Sequence, residues 1–127
     1  MSAEPEPVQT GDVLTVPDYL AEMLAEDADS ASELVQLFLE DTASSLNALE
    51  AALASDDSKR VSRFLHSIKG SSAQMGALSM SNACAELEHG ASNGDLFPTG
   101  KSMPEIRKIF SEVNHRLTSI LPTRRDA

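Results

Sequence analysis

The sequence has little of what a β-sheet protein needs. It contains no Trp, one Tyr and four Phe, so aromatic residues make up only 4% of the 127 residues. Strands favour aromatic and β-branched side chains, whereas the Ala and Leu that recur along this chain are good helix formers. A sandwich or barrel is therefore not expected. The apolar fraction of 41% suffices for one core, and the length fits one domain.

Cysteine and long apolar runs are also scarce. The single Cys84 excludes an internal disulfide and suits a reducing compartment. No apolar run approaches the ~18–20 residues that span a bilayer. We therefore expect no membrane segment and a cytoplasmic location, with shuttling to the nucleus if the source is eukaryotic.

Basic residues are absent from the first half of the chain. Residues 1–58 contain 14 Asp and Glu and neither Lys nor Arg, and the whole chain carries a net charge of −10. Such a chain is a poor ligand for nucleic acid, whose backbone attracts Lys and Arg. The first basic residues, Lys59, Arg60 and Arg63, open the segment that carries the chemistry.

Apolar residues recur at steps of three and four along four segments, which is typical of amphipathic helices. A short helix over 17–26 precedes them. The pairs Ser30–Glu33 and Ser102–Glu105 have the spacing of capping boxes, which predict the starts of two helices. The four predicted helices cover about 30–54, 58–76, 79–91 and 103–121, with a loop over 92–101.

Four amphipathic helices with short connections bury their apolar faces most simply as an antiparallel bundle. We predict an all-α fold, an up-down-up-down four-helix bundle whose short extra N-terminal helix covers one end. Residues 15–122 form this domain. Residues 1–14 are predicted to be a flexible acidic tail, and residues 123–127 a disordered one.

The third predicted helix carries an exposed histidine. On a helical wheel, successive residues are about 100° apart, and the apolar stripe that faces the core lies about 100° or more from His66. Lys69 and Arg63 flank His66 within side-chain reach. The other residues on the helix face that contains His66 are small or basic, namely Lys59, Ser62, Gly70, Ala73 and Ala77.

Gly70 lies one turn after His66, inside the helix. A glycine there costs roughly 1 kcal/mol relative to Ala, and close approach of another protein is a physical reason for it. The flanking cations would stabilise an anion on the ring. These features suggest a phosphoryl-accepting histidine, although a solvent-facing His is commonly a plain surface residue and Gly70 could serve tight helix packing instead.

The segment H-S-I-K-G-S-S-A, His66 to Ala73, followed by Gly76 and Ala77, resembles the H-x-x-K-G-S-[SA] signature of histidine-containing phosphotransfer (HPt) domains. The resemblance implies a four-helix bundle with an extra N-terminal helix. It also implies that His66 is phosphorylated, that Lys69 helps to hold the phosphoryl oxygens and that Gly70 leaves room for a receiver domain.

The resemblance implies further roles beside the histidine. Ser71 and Ser72 would lie toward the bundle, with Ser72 on the core stripe and able to hydrogen-bond within the helix or to a neighbour. Several family members have a Gln on the following helix that contacts the histidine, and Glu88 stands at the corresponding position here. A carboxylate could orient the imidazole but would repel a phosphoryl group.

The implied function is phosphotransfer in a multistep two-component phosphorelay. His66 would take a phosphoryl group from a receiver-domain aspartate and pass it to another receiver, the partners being a hybrid histidine kinase and response regulators. The chain would be a monomeric phosphocarrier and not an enzyme, since no phosphate-binding glycine motif is present. It needs no cofactor, and Mg²⁺ is expected on the partner. Contacts to the receiver would come from Lys59, Ser62, Arg63, Ala73, Ala77, Glu88 and the first helix.

Two other classes are open at this point. A bundle that serves only as an adaptor would bind signalling partners without phosphorylation. The phosphoacceptor hairpin of a sensor kinase also carries an exposed His, but usually with an acidic residue and then a Pro after it, where this chain has Ser67 and Gly70. No metal site is expected, because His89 and His115 have no suitably spaced ligand partners.

Overall fold

The computed structural model describes residues 13–122, and all the regular structure in that range is helical. Its five helices are numbered here in chain order. Their bounds are α1 Asp18–Glu26, α2 Ala28–Ala54, α3 Ser58–Met75, α4 Leu78–Ser92 and α5 Phe97–Ile120.

The four longer helices pack as a bundle. Contacts join α2 to α3, α3 to α4, α4 to α5 and α5 back to α2, and short connections link the successive helices. The shared core is aliphatic and fully enclosed, with Leu46, Leu49, Leu65, Ile68, Met80, Ile106 and Leu117 among its largest members. The predicted all-α bundle with an extra N-terminal helix is therefore confirmed.

The predicted apolar stripe of α3 is buried along its whole length. Its buried residues are Val61, Leu65, Ile68, Ser72 and Met75, which recur at the period of an α-helix. Because this stripe fixes the rotation of α3 in the bundle, the opposite face of the helix is left to solvent.

The start of α2 differs from the prediction. Asp27 caps the helix, since its carboxylate accepts hydrogen bonds from the Ser30 backbone N–H at 3.2 Å and from Ser30 Oγ at 2.8 Å. Ser30 therefore lies inside the first turn, and the predicted Ser30–Glu33 capping box is wrong. Asp57 caps α3 in the same way, accepting from the N–H of Arg60.

α5 begins at Phe97, six residues before its predicted start. Pro98 lies in the first turn, where its fixed φ suits a helix. Thr99 and Met103, one turn apart, are both buried in the core. This burial outweighs the helix-breaking tendency of Pro104 inside the helix. The predicted loop over 92–101 is therefore shorter, 93–96, and the predicted capping box at Ser102 is wrong.

α1 packs at the end of the bundle where α3 terminates. Leu20 of α1 is fully buried, and the Tyr19 hydroxyl donates a 2.7 Å hydrogen bond to the Gln74 carbonyl. Just before α1, the Thr15 N–H donates to the Gly76 carbonyl at 2.8 Å. The short helix therefore covers one end of the bundle, as expected.

The two described residues of the predicted N-terminal tail are packed. Val13 is buried and Leu14 lies against the same core. The packed domain therefore begins at least two residues before its predicted start at residue 15. The rest of that tail, 1–12, and the predicted tail 123–127 lie outside the described residues.

Gly76 ends α3 in a left-handed conformation, with φ of 84°. A Cβ built on it would collide with the carbonyl oxygen of Thr15. Gly70 differs, because no heavy atom beyond its local helix backbone lies within 4 Å of a Cβ built there. Glycine is thus required by the fold at one position and not at the other.

We predict opposite effects of alanine at these two glycines. Gly76→Ala should lower the free energy of unfolding by at least about 2 kcal/mol, from left-handed strain and the collision with Thr15. Gly70→Ala should leave it unchanged or raise it by up to about 1 kcal/mol. Urea unfolding followed by circular dichroism measures both, and equal effects would contradict this assignment.

Candidate functional site

His66 projects into solvent from the middle of α3. Its side chain is 67% exposed, while its neighbours Leu65 and Ile68 are buried on the other side of the helix. The ring is therefore accessible to another protein, as the helical periodicity predicts.

Glu88 joins the ring to a lysine. One oxygen of its carboxylate, Oε2, lies 2.9 Å from His66 Nδ1, and the other, Oε1, accepts a 2.8 Å hydrogen bond from Lys69 Nζ. Ser81 Oγ also donates to the backbone carbonyl of Lys69 at 3.0 Å. Two residues of α4 thus position two residues of α3, and the carboxylate lies at the centre of the arrangement.

The carboxylate of Glu88 is held in its ionised form. The hydrogen bond from Lys69, followed by that from His66 and the positive charges of both, lowers the pKa of Glu88 below its ordinary value despite partial burial. An ionised carboxylate only accepts hydrogen bonds, so Nδ1 must donate. In the neutral imidazole, Nε2 then carries the lone pair.

Lys69 is two-thirds buried and already engaged by Glu88. Its ammonium and the imidazole of His66 bond to the same carboxylate, so the two groups are neighbours. A phosphoryl group on the ring would therefore compete with Glu88 for this ammonium.

The backbone patch beyond His66 is open. Gly70 and Ala73 are both exposed. Lys59 and Arg63 are also exposed, and Ser62 is half-buried. These predicted contact residues share the solvent-facing side of α3 with the imidazole.

Two residues that were predicted from the helical pattern or the family resemblance lie elsewhere. Ala77 is fully buried. The helical periodicity that predicted it on the same face as His66 does not apply there, because α3 ends at Met75 and the left-handed Gly76 changes the direction of the chain. Ala77 is therefore not part of an accessible surface. Ser71, expected toward the bundle, is exposed.

Ser72 is buried as expected. Within residues 13–122 its Oγ has no hydrogen-bond partner. Ser72 lies on the same buried stripe of α3 as Met75.

Tyr19 is a surface residue of α1, a helix that the sequence analysis named only as a whole among the contacts to a partner. It is 43% exposed, and its bond to the Gln74 carbonyl holds the ring against the exposed end of α3. Periodicity within α1 carries no information about this contact between distant segments.

Cys84 lies beneath the site, one turn before Glu88 on α4. It is fully buried. Burial, with a smaller effect from the charge of Glu88, raises the pKa of the thiol to about 12. The residue therefore packs as a small apolar group, and the chemistry of the site does not extend to it.

Metal binding and membrane insertion find no support in the described part of the chain. Among residues 13–122, no group of three or more His, Cys, Asp or Glu could hold a metal ion. None of the helices there is both long and apolar enough to cross a bilayer.

Comparison with known proteins identifies the family. The sequence model of the Hpt domain matches residues 33–116, which is about two thirds of the chain. The chain belongs to the Hpt domain family. The match contains α3 and α4, and with them His66, Lys69 and Glu88.

Two relatives show how far the likeness extends. Histidine-containing phosphotransfer protein 1 of Arabidopsis thaliana is 28% identical over 94 residues, which cover 72% of this chain and 61% of the relative. The match thus spans less than two thirds of that relative's length. The crystal structure of histidine-containing phosphotransfer protein B from Pseudomonas aeruginosa superposes with a TM-score of 0.73 at 28% identity, covering 82% of this chain and 91% of the other.

We predict that Lys69→Met raises the pKa of Glu88 toward its ordinary value, because the lysine is the largest cause of the lowering. NMR titration of the Glu88 side-chain carboxyl carbon measures this in both proteins. A carboxyl whose folded-state pKa is lowered stabilises the fold above its unfolded-state pKa, and this contribution is lost as the pH falls through the folded value. Lys69→Met should therefore lose less stability on acidification. An unchanged Glu88 titration would contradict the ion pair.

Proposed function

We propose that this chain is the histidine phosphotransfer protein of a multistep two-component phosphorelay. His66 accepts a phosphoryl group from an aspartate of one receiver domain and gives it to another. The single observation that carries the proposal is the exposed imidazole whose Nδ1 is bonded to Glu88, in a chain of the Hpt family.

The proposed acceptor atom is Nε2. Because Nδ1 donates to Glu88, the lone pair of the neutral ring is on Nε2. In the transfer, a bond forms between Nε2 and phosphorus, and the bond between phosphorus and the aspartyl oxygen breaks. The electron pair of that bond stays on the aspartate, which leaves as a carboxylate.

The proposed role of this chain in the reaction is positioning and charge stabilisation, which dominate phosphoryl transfer. Lys69 lies beside the ring and is the cation that can turn from Glu88 to the phosphoryl oxygens. The receiver domain supplies the aspartyl phosphate and its Mg²⁺. We propose that this chain carries no metal or cofactor and is a phosphocarrier without kinase activity.

The proposed receiver-binding surface is the exposed side of α3 around His66. Gly70 and Ala73 provide a flat area over which a partner can approach. The exposed ring of Tyr19 extends this area onto α1. At the other end, Lys59, Ser62 and Arg63 lie at the periphery, where charge selects partners.

The proposed partners are the receiver domains of a hybrid histidine kinase and of response regulators. We propose that the chain acts as a monomer, because a single bundle with its exposed histidine provides every group that the reaction requires of this protein. We also propose that it acts in the cytoplasm. The rim of the surface is basic, although the chain as a whole is acidic.

His66→Gln should abolish phosphate uptake, because the amide side chain has no nucleophilic nitrogen. The assay mixes the protein with a phosphorylated receiver domain and measures acid-labile phosphate on this chain. His89→Gln is the matched control, since it removes an exposed histidine from α4 and should transfer like the wild type. Uptake by His66→Gln at the wild-type level would refute the proposed function.

Gly70→Ala should slow transfer by about tenfold or more while leaving the fold intact. A Cβ at Gly70 meets no atom of this chain beyond its own helix backbone but would lie in the surface that the receiver covers, and misplacement by about 1 Å can cost about 100-fold in rate. Rapid-quench measurement of transfer from the receiver gives the rate. A wild-type rate would mean that the receiver approaches His66 from another side.

A further inference from the structure

We propose that Ser81 is a positioning residue for phosphotransfer, because its hydroxyl reaches from α4 and holds the peptide group between Lys69 and Gly70 of α3. This inference rests on the proposed function and deepens it. The bond offsets the backbone freedom that glycine introduces at the point where a receiver domain would press on the helix.

The hydroxyl of Ser81 meets α3 at one backbone carbonyl. Ser81 Oγ donates to the carbonyl oxygen of Lys69 at 3.0 Å. Ser81 is only 8% exposed, so water competes weakly for this bond. A carbonyl oxygen has two lone pairs, and an α-helix uses one of them for the N–H four residues later, here that of Ala73. Ser81 therefore adds a second bond to the Lys69 oxygen without breaking the helix.

The connection between α3 and α4 keeps Ser81 at a fixed distance from this carbonyl. Only Gly76 and Ala77 join the two helices. The Ala77 N–H donates to the Ser72 carbonyl at 2.8 Å, and the Ser81 N–H donates to the Ala77 carbonyl at 3.1 Å. The chain from Lys69 to Ser81 is thus tied at both ends and at its turn, which leaves the hydroxyl little freedom to move away from its acceptor.

The bonded carbonyl belongs to a peptide group that glycine makes flexible. Gly70 follows Lys69 directly, and a glycine inside a helix has more backbone freedom and a lower helix propensity than alanine. No heavy atom beyond the local helix backbone lies within 4 Å of a Cβ built at Gly70, so side-chain packing does not restrain this position. Because a peptide group is planar, a bond to its oxygen restrains ψ of Lys69 and φ of Gly70 together.

This restraint acts on the groups that the proposed transfer uses. The ammonium of Lys69 lies beside the imidazole of His66. In the helical pattern, the Gly70 N–H bonds to the carbonyl of His66 one turn earlier. A shift of the peptide between Lys69 and Gly70 would therefore move the cation and the area over which the receiver approaches, and a displacement of about 1 Å can cost about 100-fold in rate.

The neighbouring serines of α3 do not replace this bond. Ser71 Oγ donates to the Ile68 carbonyl of its own helix at 3.4 Å. Ser72 Oγ has no hydrogen-bond partner within residues 13–122. Of these three serines, Ser81 alone links the backbone of α3 to another helix through its side chain.

The first experiment measures amide hydrogen exchange in the full chain by NMR. Ser81→Ala removes the hydroxyl, and Ser92→Ala is the matched control, since Ser92 Oγ donates to the His89 carbonyl at the same 3.0 Å but within α4. We expect the amides of Gly70 and Ala73 to exchange about fivefold faster in Ser81→Ala, as for the loss of one hydrogen bond, and at the wild-type rate in Ser92→Ala. The effect of Ser81→Ala should be smaller in a Gly70→Ala background, because alanine itself stiffens the helix.

The second experiment measures transfer from a phosphorylated receiver domain by rapid quench over a range of receiver concentrations. Ser81→Ala should lower the maximum rate about tenfold. The half-saturating receiver concentration should change by less than about twofold, because the surface that the receiver contacts is retained. Ser81→Thr keeps a hydroxyl and should restore most of the rate, and Ser92→Ala should transfer like the wild type.

A wild-type maximum rate in Ser81→Ala would overturn the positioning role, as would equal exchange of the Gly70 and Ala73 amides in Ser81→Ala and Ser92→Ala. A rate for Ser81→Thr as low as that for Ser81→Ala would also overturn it, since the hydroxyl would then not be the cause. If the wild type accepts phosphate and Ser81→Ala equals it, only the role of Ser81 fails. If the wild type accepts none, the proposed function fails, while the exchange rates still decide whether Ser81 restrains the peptide.

Discussion

The arrangement around His66 depends on one carboxylate that bonds two residues of the neighbouring helix. Glu88 accepts from the imidazole and from Lys69 at once, so a single side chain of α4 fixes the ring tautomer and the position of the nearest cation. Both bonds are charge-assisted, because the carboxylate is ionised. The bond to Lys69 is partly buried, whereas the bond to His66 is exposed. Without it the imidazole would be a freely rotating surface side chain.

The bundle holds this contact in register. The buried stripe of α3 fixes the rotation that turns His66 outward, and the bond from Ser81 to the Lys69 backbone sets α4 along α3. At the far end, Gly76 allows Thr15 and α1 to close over the end of the bundle. The core therefore supplies rigidity, while the exposed side of α3 contributes little to the packing and is available to a partner.

Much of this arrangement could be predicted from the sequence, because it repeats with the helical period. The stripe of α3 and the outward direction of His66 need only 3.6 residues per turn. The predictions were wrong or incomplete where the helical period ends, or where contacts between distant residues determine the structure. Ala77 lies beyond the helix end, the early start of α5 depends on burial of Thr99 and Met103, and the exposed Tyr19 is placed by a bond to Gln74. Family resemblance placed Glu88 near the ring, but its pairing with Lys69 could not be read from either helix alone.

The nitrogen that bears phosphorus tests the central claim most directly. The chain is phosphorylated by a receiver domain, and proton–phosphorus NMR identifies the ring atom from the couplings of phosphorus to the ring protons. Because Glu88 occupies Nδ1, we predict phosphorus on Nε2, coupled to the protons on both ring carbons. Phosphorus on Nδ1, coupled to one ring proton alone, would contradict it.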